Sequence, residues 1–284
     1  MTEESPFTVD ADWLQERLGQ PGLSIVDASW YLPAQKRDAK AEYAARHIPG
    51  AVFFDIEEIS DADNPLPHMM PAPEKFSARV RKLGLGDGNR IVVYDGSPMM
   101  GATRVWWMFR AFGHKDVAVL DGGLPKWQRE GRPVTDEPTM PRERHFTARL
   151  DSTLIRDVGQ VTRLIDSKAE QIVDARAAPR FRGEAPEPRP NLRLGHMPGA
   201  LNMPYNDLID PKTGTMLPEA QLKAKLAAAG IDPAKKVTAS CGSGVSACVV
   251  ALALYLTGAK ETAIYDGSWA EWGSRQDTPI VTGA

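Results

Sequence analysis

Residues 237–256, VTASCGSGVSACVVALALYL, read as a strand, a tight loop and a helix in direct succession. Val237–Ser240 has the short apolar character of a buried strand, and Val245–Leu256 is an apolar run of helical length. Between them stands Cys241, followed by Gly242 and Gly244. A cysteine at this junction sits among the amides that open a helix, which have no partner further back in the chain. Those amides and the helix dipole favour an anion, and the thiolate is the reactive form of cysteine. The two glycines let the backbone amides curl around the sulfur. The segment therefore reads as a cradle for a sulfur anion, with Gly242, Ser243, Gly244, Val245 and Ser246 forming its wall. Cys248 lies seven residues on, inside the apolar helix, and reads as an inert core residue.

The same pattern occurs earlier in the chain. RIVVYDGS (90–97) aligns with KVTASCGS (236–243), which puts Asp95 opposite Cys241. SIVDASW (24–30) pairs with QIVDARA (171–177), ARHIPGAVFF (45–54) with LGHMPGALNM (194–203), and VLDGGLPKW (119–127) with IYDGSWAEW (264–272). These four matches run in order at offsets of 145 to 149 residues, too long for a solenoid repeat. The chain is a tandem of two similar domains, expected at 1–145 and 146–284, with a Pro-rich charged linker at about 131–145. His47 and His196 occupy equivalent places before IPG and MPG turns, so a structural role is expected of both.

In each half, β-branched runs alternate with helix-like runs. Strands are expected at Ser24–Val26, Ala51–Phe54, Arg90–Tyr94 and Val117–Leu120, and again at Gln171–Asp174, Val237–Ser240 and Ala263–Tyr265. Helices are expected at Trp13–Leu18, Glu74–Lys82, Thr103–Phe112, about Glu219–Ala229, and Val245–Leu256. That alternation predicts α/β domains, each with a mainly parallel sheet flanked by helices. Ligands of such sheets gather outside the carboxyl ends of the strands, where Cys241 falls.

Composition narrows the function. The 284 residues carry 34 Lys and Arg against 37 Asp and Glu, a net charge of −3, which disfavours nucleic-acid binding through bulk charge. Two cysteines cannot form a disulfide framework, and a reducing compartment is expected. The apolar run at 245–256 is too short to span a bilayer. MTEESPFTVD at the amino terminus has neither a basic n-region nor an apolar h-region, so a cytoplasmic protein with no membrane association is expected. There is no Walker loop and no HExxH zinc motif. Cysteine phosphatases need an Arg six residues after the nucleophile, and that position is Ala247.

The motifs resemble those of the tandem rhodanese-type sulfurtransferases, in which a catalytic second domain follows an inactive first one. The resemblance rests on RHIPGAVFFDIE (46–57), RVWWMFRAFGH (104–114), LDGGLPKW (120–127), RFRGEAPEPR (180–189), GHMPGALNMPY (195–205) and YDGSWAEWG (265–273), and covers nearly the whole chain. CGSGVSAC (241–248) looks like the loop of the branch that takes sulfur from 3-mercaptopyruvate. The thiosulfate branch typically carries basic residues where this chain has Gly242 and Ser243.

The resemblance implies two rhodanese-like domains and a two-step reaction. Sulfur passes from 3-mercaptopyruvate to a Cys241 persulfide, pyruvate is released, and a thiol such as thioredoxin or a small thiol, or cyanide, takes the sulfur. No metal or organic cofactor is implied. Arg180 and Arg189 match the substrate-binding arginines, and Arg182 is expected in solvent. Ser243, His68 and Glu57 match a proposed proton relay, although animal enzymes carry Asp at the position of Glu57, and Asp55 is an alternative. Both first-domain members would place the active site at a domain interface. Two other functions remain open: thiosulfate:cyanide sulfur transfer, and a non-catalytic sulfane-sulfur carrier.

Overall fold

The computed structural model describes residues 7–97, 99–259 and 261–283. The first six residues, on which part of the amino-terminal reading rests, lie outside the described set. The chain divides into two compact units. The first comprises residues up to Ala62, Met70–Asp151 and Asp210–Met216; the second comprises Asp63–Met69, Ser152–Ile209 and Leu217 onward.

The first unit holds a five-stranded sheet of β1 (Thr8–Val9), β2 (Leu23–Asp27), β3 (Ala51–Phe53), β4 (Arg90–Tyr94) and β5 (Val117–Leu120). Their order is β1-β5-β4-β2-β3, and every pair is parallel. Its helices are α1 (Ala11–Glu16), α2 (Ala39–Ala45), α3 (Ile56–Ile59), α4 (Pro73–Lys82), α5 (Met100–Ala111) and α6 (Gly123–Arg129). The inner strands are apolar along their length because both faces are covered. Ile91, Val92, Val93 and Tyr94 of β4 are all fully buried. Helix α5 is buried nearly all round, with Trp106, Trp107 and Phe109 inside, as a central helix must be.

The second unit repeats this plan. Strands β6 (Ile155–Arg156), β7 (Gln171–Asp174), β8 (Leu201–Asn202), β9 (Val237–Ser240) and β10 (Thr262–Tyr265) form a parallel sheet of order β6-β10-β9-β7-β8. Helices α7 (Val158–Ser167), α8 (Ala178–Phe181), α9 (Glu219–Ala228), α10 (Ala247–Leu256) and α11 (Ser268–Trp272) accompany it. Helix α10 is the apolar run seen in sequence, beginning at Ala247 rather than Val245 because the cradle loop uses the first two residues. Among the described residues no helix is long and apolar enough to cross a membrane.

The main stretch of the first unit runs to Asp151, six residues beyond the expected 145/146 division, and Asp210–Met216 joins it from later in the chain. Phe146 explains the difference. It is buried against Phe76 and Phe109, while Arg149 and Asp151 donate backbone hydrogen bonds to Phe112 and Ala111. The preceding stretch is mostly exposed, as its composition suggests, with Met140 86% accessible. The two repeat histidines do equivalent structural work. His47 Nδ1 meets the carbonyl of Tyr43 and stacks on its ring; His196 Nδ1 meets the carbonyl of Phe181 and stacks on that ring.

Candidate active site

Cys241 follows β9 directly and is 1% exposed. Its backbone is held by α11, which follows β10. Cys241 N donates to Ser268 Oγ at 3.2 Å, and Ser268 Oγ donates to the Tyr265 carbonyl at 2.8 Å. The Cys241 and Gly242 carbonyls accept from Trp269 N and Ala270 N, both at 2.9 Å. Gly244 has φ +74°, which a residue with a Cβ seldom adopts, so the turn toward α10 requires glycine there. Cys248 is fully buried, and its thiol donates to the Gly244 carbonyl at 3.3 Å, the arrangement of a core residue.

Arg180 and Arg189 converge on the loop. A Cβ built on Gly242 would lie 3.4 Å from Arg180 Nη2 and 3.8 Å from Arg189 Nη1. Both guanidiniums therefore stand over the residue next to the nucleophile. Arg180 comes from α8, where Pro179 sits near the start and suits a first helical turn. Its guanidinium is paired through Nε and Nη2 with Glu187, which also accepts from Arg176 Nη1 at 2.7 Å. Arg176 is fully buried. It grips Asp174 through Nε and Nη2 and lies 4.0 Å from the centre of the Trp269 ring. Arg182 pairs with Glu184 at 2.7 Å on the surface.

Ser243 Oγ lies 2.9 Å from His68 Nδ1, and Arg189 Nη2 donates to the same oxygen at 3.4 Å. The hydroxyl is thus turned to His68 rather than spent on capping α10, whose N-cap is Ser246. With Arg189 donating only, the hydroxyl proton is available to Nδ1, consistent with the tautomer that carries its hydrogen on Nε2. His68 is 3% exposed and has φ +61°, a region that histidine enters more readily than most residues but at some cost. The loop holding it, Asp63–Met69, belongs to the second unit.

Glu57 lies in the first turn of α3, in the first unit, where its Oε1 accepts from Trp30 Nε1 at 2.8 Å. Asp55 is committed elsewhere: its Oδ1 caps α3 by accepting from Glu57 N and Glu58 N. The alternative of Asp55 as a relay residue is therefore disfavoured by its use as a cap.

Sequence reasoning missed Glu187, Arg176 and Ser268. A signal existed for Arg176, since it lies two residues beyond Asp174, the last residue of β7, on the side where ligands gather. Glu187 carries no such signal among the charges of 180–189, because nothing local marks it as buried.

The first unit fills its own cradle. Asp95, opposite Cys241 in the repeat, accepts from Ser97 N at 3.3 Å and from Ala102 N at 3.0 Å, in the first turn of α5. Complete burial pushes its carboxyl up to about 7. The neighbouring glycine also faces different chemistry. A Cβ on Gly96 would lie 2.4 Å from Tyr31 Oη and 3.3 Å from Ser29 Oγ, where the second unit presents two arginines. Arg37 lies beside this glycine, donating to the Gly96 carbonyl at 3.3 Å, but it is paired with Glu42 and stacked on the Tyr31 ring, so a cysteine at position 95 would face a filled space and one engaged guanidinium rather than two converging ones. In a Cys241→Ser background, Asp95→Cys should therefore gain no sulfur from mercaptopyruvate by intact mass. One added sulfur on the double variant would show that the loop alone suffices.

A parallel five-stranded sheet repeated twice, with a cysteine cradle at the carboxyl end of the second copy's β9, defines a rhodanese. The chain belongs to the rhodanese family: the model of the rhodanese-like domain matches residues 10–130 and 157–275. It is 44% identical to 3-mercaptopyruvate sulfurtransferase of Homo sapiens, over 94% of this chain and 92% of that protein. It is also 44% identical to thiosulfate sulfurtransferase of Gallus gallus, over 94% and 93% respectively. The crystal structure of SseA from Escherichia coli, described as a 3-mercaptopyruvate sulfotransferase, superposes with a TM-score of 0.86 at 40% identity and covers 93% of this chain and 99% of that one.

Proposed function

We propose that this protein transfers sulfur from 3-mercaptopyruvate through a persulfide on Cys241. The observation that carries this reading is the pair of guanidiniums over Gly242, beside a loop with no basic side chain of its own. A planar α-keto carboxylate suits two such forks, which donate parallel hydrogen bonds to a carboxylate and polarise a keto oxygen. In the first step the Cys241 thiolate attacks the substrate's sulfur. The S–S bond forms as the C–S bond breaks, and the C–S electron pair leaves on carbon as the enolate of pyruvate, which is then protonated. In the second step an acceptor thiolate, or cyanide, attacks the outer sulfur and the Cys241 thiolate returns. Sulfur itself carries the reactivity, so the proposal needs no metal or organic cofactor. Thioredoxin and small thiols are acceptors of suitable chemistry, and a reducing cytoplasm suits a nucleophile that must cycle through a thiolate.

Ser243 and His68 would pass the proton between substrate thiol and enolate, with Glu57 the proposed third member. Ser243→Ala and His68→Ala should each lower kcat/KM by about tenfold to a hundredfold, and the double variant should be little worse than either. Independent, multiplying losses would mean that the two residues do not act as a unit. Glu57→Gln at the wild-type rate would remove Glu57 from the relay.

The Gallus gallus relative favours a second reading, with thiosulfate as donor. A dianion gains more from added positive charge than a monoanion does, and Gly242 and Ser243 supply none. Side-by-side turnover of the two compounds with one acceptor decides between them. Higher kcat/KM for mercaptopyruvate supports the proposal; higher kcat/KM for thiosulfate replaces it with the second reading. Turnover of neither leaves a sulfane-sulfur carrier.

A further inference from the structure

We infer that Glu187 sets which sulfur compound the site accepts, by neutralising Arg180 while holding its guanidinium in place. The inference rests on the sulfurtransferase reading above and adds a specificity residue to it. Asp174, Arg176, Glu187 and Arg180 form a continuous chain of two carboxylates and two guanidiniums ending over Gly242. The side chains of Asp174 and Arg176 are 0% exposed and that of Glu187 is 2% exposed, so solvent does little to screen them. Only Arg180, at 24%, faces the opening. Glu187 engages Nε and Nη2 of Arg180, and that same Nη2 is the atom nearest Gly242, so the carboxylate sits directly behind the guanidinium that reaches the loop. The four groups sum to zero charge.

Arg180 therefore offers a ligand the shape of its hydrogen bonds with little net attraction. That suits a monoanionic carboxylate, which a guanidinium recognises by geometry. A tetrahedral dianion depends more on net charge, because each added positive charge attracts it twice as strongly as a monoanion. The buried side of the chain keeps this state fixed. Arg176 is anchored on Asp174 and Trp269, and so holds Glu187 from behind whether or not a ligand is present.

The test is Glu187→Gln, which keeps the shape and removes the charge, with steady-state kinetics on mercaptopyruvate and thiosulfate. The ratio of the two kcat/KM values should shift toward thiosulfate by about tenfold, as one added positive charge at short range implies. Glu187→Asp, which retains the charge, should keep the wild-type ratio to within about threefold. An unshifted ratio, or an equal fall with both donors, overturns the inference and leaves Glu187 a structural residue. Should Glu187→Gln fail to fold, Gly242→Lys adds a charge beside Arg180 while leaving the buried Asp174, Arg176 and Glu187 unaltered. The same shift is then expected, and its absence overturns the claim that charge beside Arg180 decides the donor. Wild-type enzyme that turns over neither compound would instead defeat the underlying functional reading.

Discussion

Replacing Cys241 with Ser should abolish turnover, with kcat/KM falling by at least about a thousandfold. A hydroxyl lacks the nucleophilicity of a thiolate, and it cannot form a persulfide at all. The substitution is nearly isosteric at a buried position whose backbone is fixed from outside by Ser268, Trp269 and Ala270. The fold should therefore remain, with an unfolding midpoint near that of the wild type. A folded variant that still releases pyruvate with multiple turnovers would mean that another group carries the sulfur.

The second large effect is expected at the arginines. Arg180→Ala and Arg189→Ala should each lower kcat/KM for mercaptopyruvate by roughly a hundredfold, corresponding to about 3 kcal/mol for a charge-assisted contact removed from one side. The two losses should differ in character. Removing Arg180 leaves the buried carboxylate of Glu187 with Arg176 as its remaining partner, beside an anionic substrate, so repulsion adds to the lost hydrogen bonds. Removing Arg189 takes away a hydrogen bond to Ser243 Oγ as well, so kcat should fall along with any rise in KM. Lysine at position 189 keeps the charge but not the planar fork and should recover only part of the activity. Wild-type kinetics in both alanine variants would remove the arginines from the substrate site.

Much of this was open to reading from sequence because the decisive information is local. Strands β4, β5, β7 and β9 appear at their expected residues, since a short β-branched run between glycines and charges has one economical interpretation. The Cys241 loop is equally local: strand end, glycines and helix start are contiguous. The tandem repeat supplies a second copy against which each motif is checked. What escaped is what depends on tertiary contact. Strands β1 and β6 are two residues each and exist only by pairing with β5 and β10. Helices α3, α8 and α11 span four or five residues, too few for a periodicity. The boundary at Asp151 was displaced by one aromatic, Phe146, whose burial no flanking residue announces.

The candidate site divides along the same line. Cys241 follows from its own neighbours. The approach of His68 to Ser243, across 175 positions, followed only from the family resemblance. Residues 180–189 have the composition of a solvated loop, and Arg182 with Glu184 behaves that way. Arg180 is set apart from Arg182 by its buried partner Glu187 and by its place over Gly242. Hydrophobic pattern cannot report a buried carboxylate whose partners lie on another stretch of chain.

The most direct test of the central claim is a single-turnover experiment on the wild-type protein with mercaptopyruvate and no acceptor. Pyruvate is quantified, and the added sulfur is located by peptide mapping under non-reducing conditions. The account predicts one pyruvate per chain and one extra sulfur, on the peptide containing Cys241 and on that residue rather than Cys248. Pyruvate formation without retained sulfur, or sulfur found on Cys248, would contradict it.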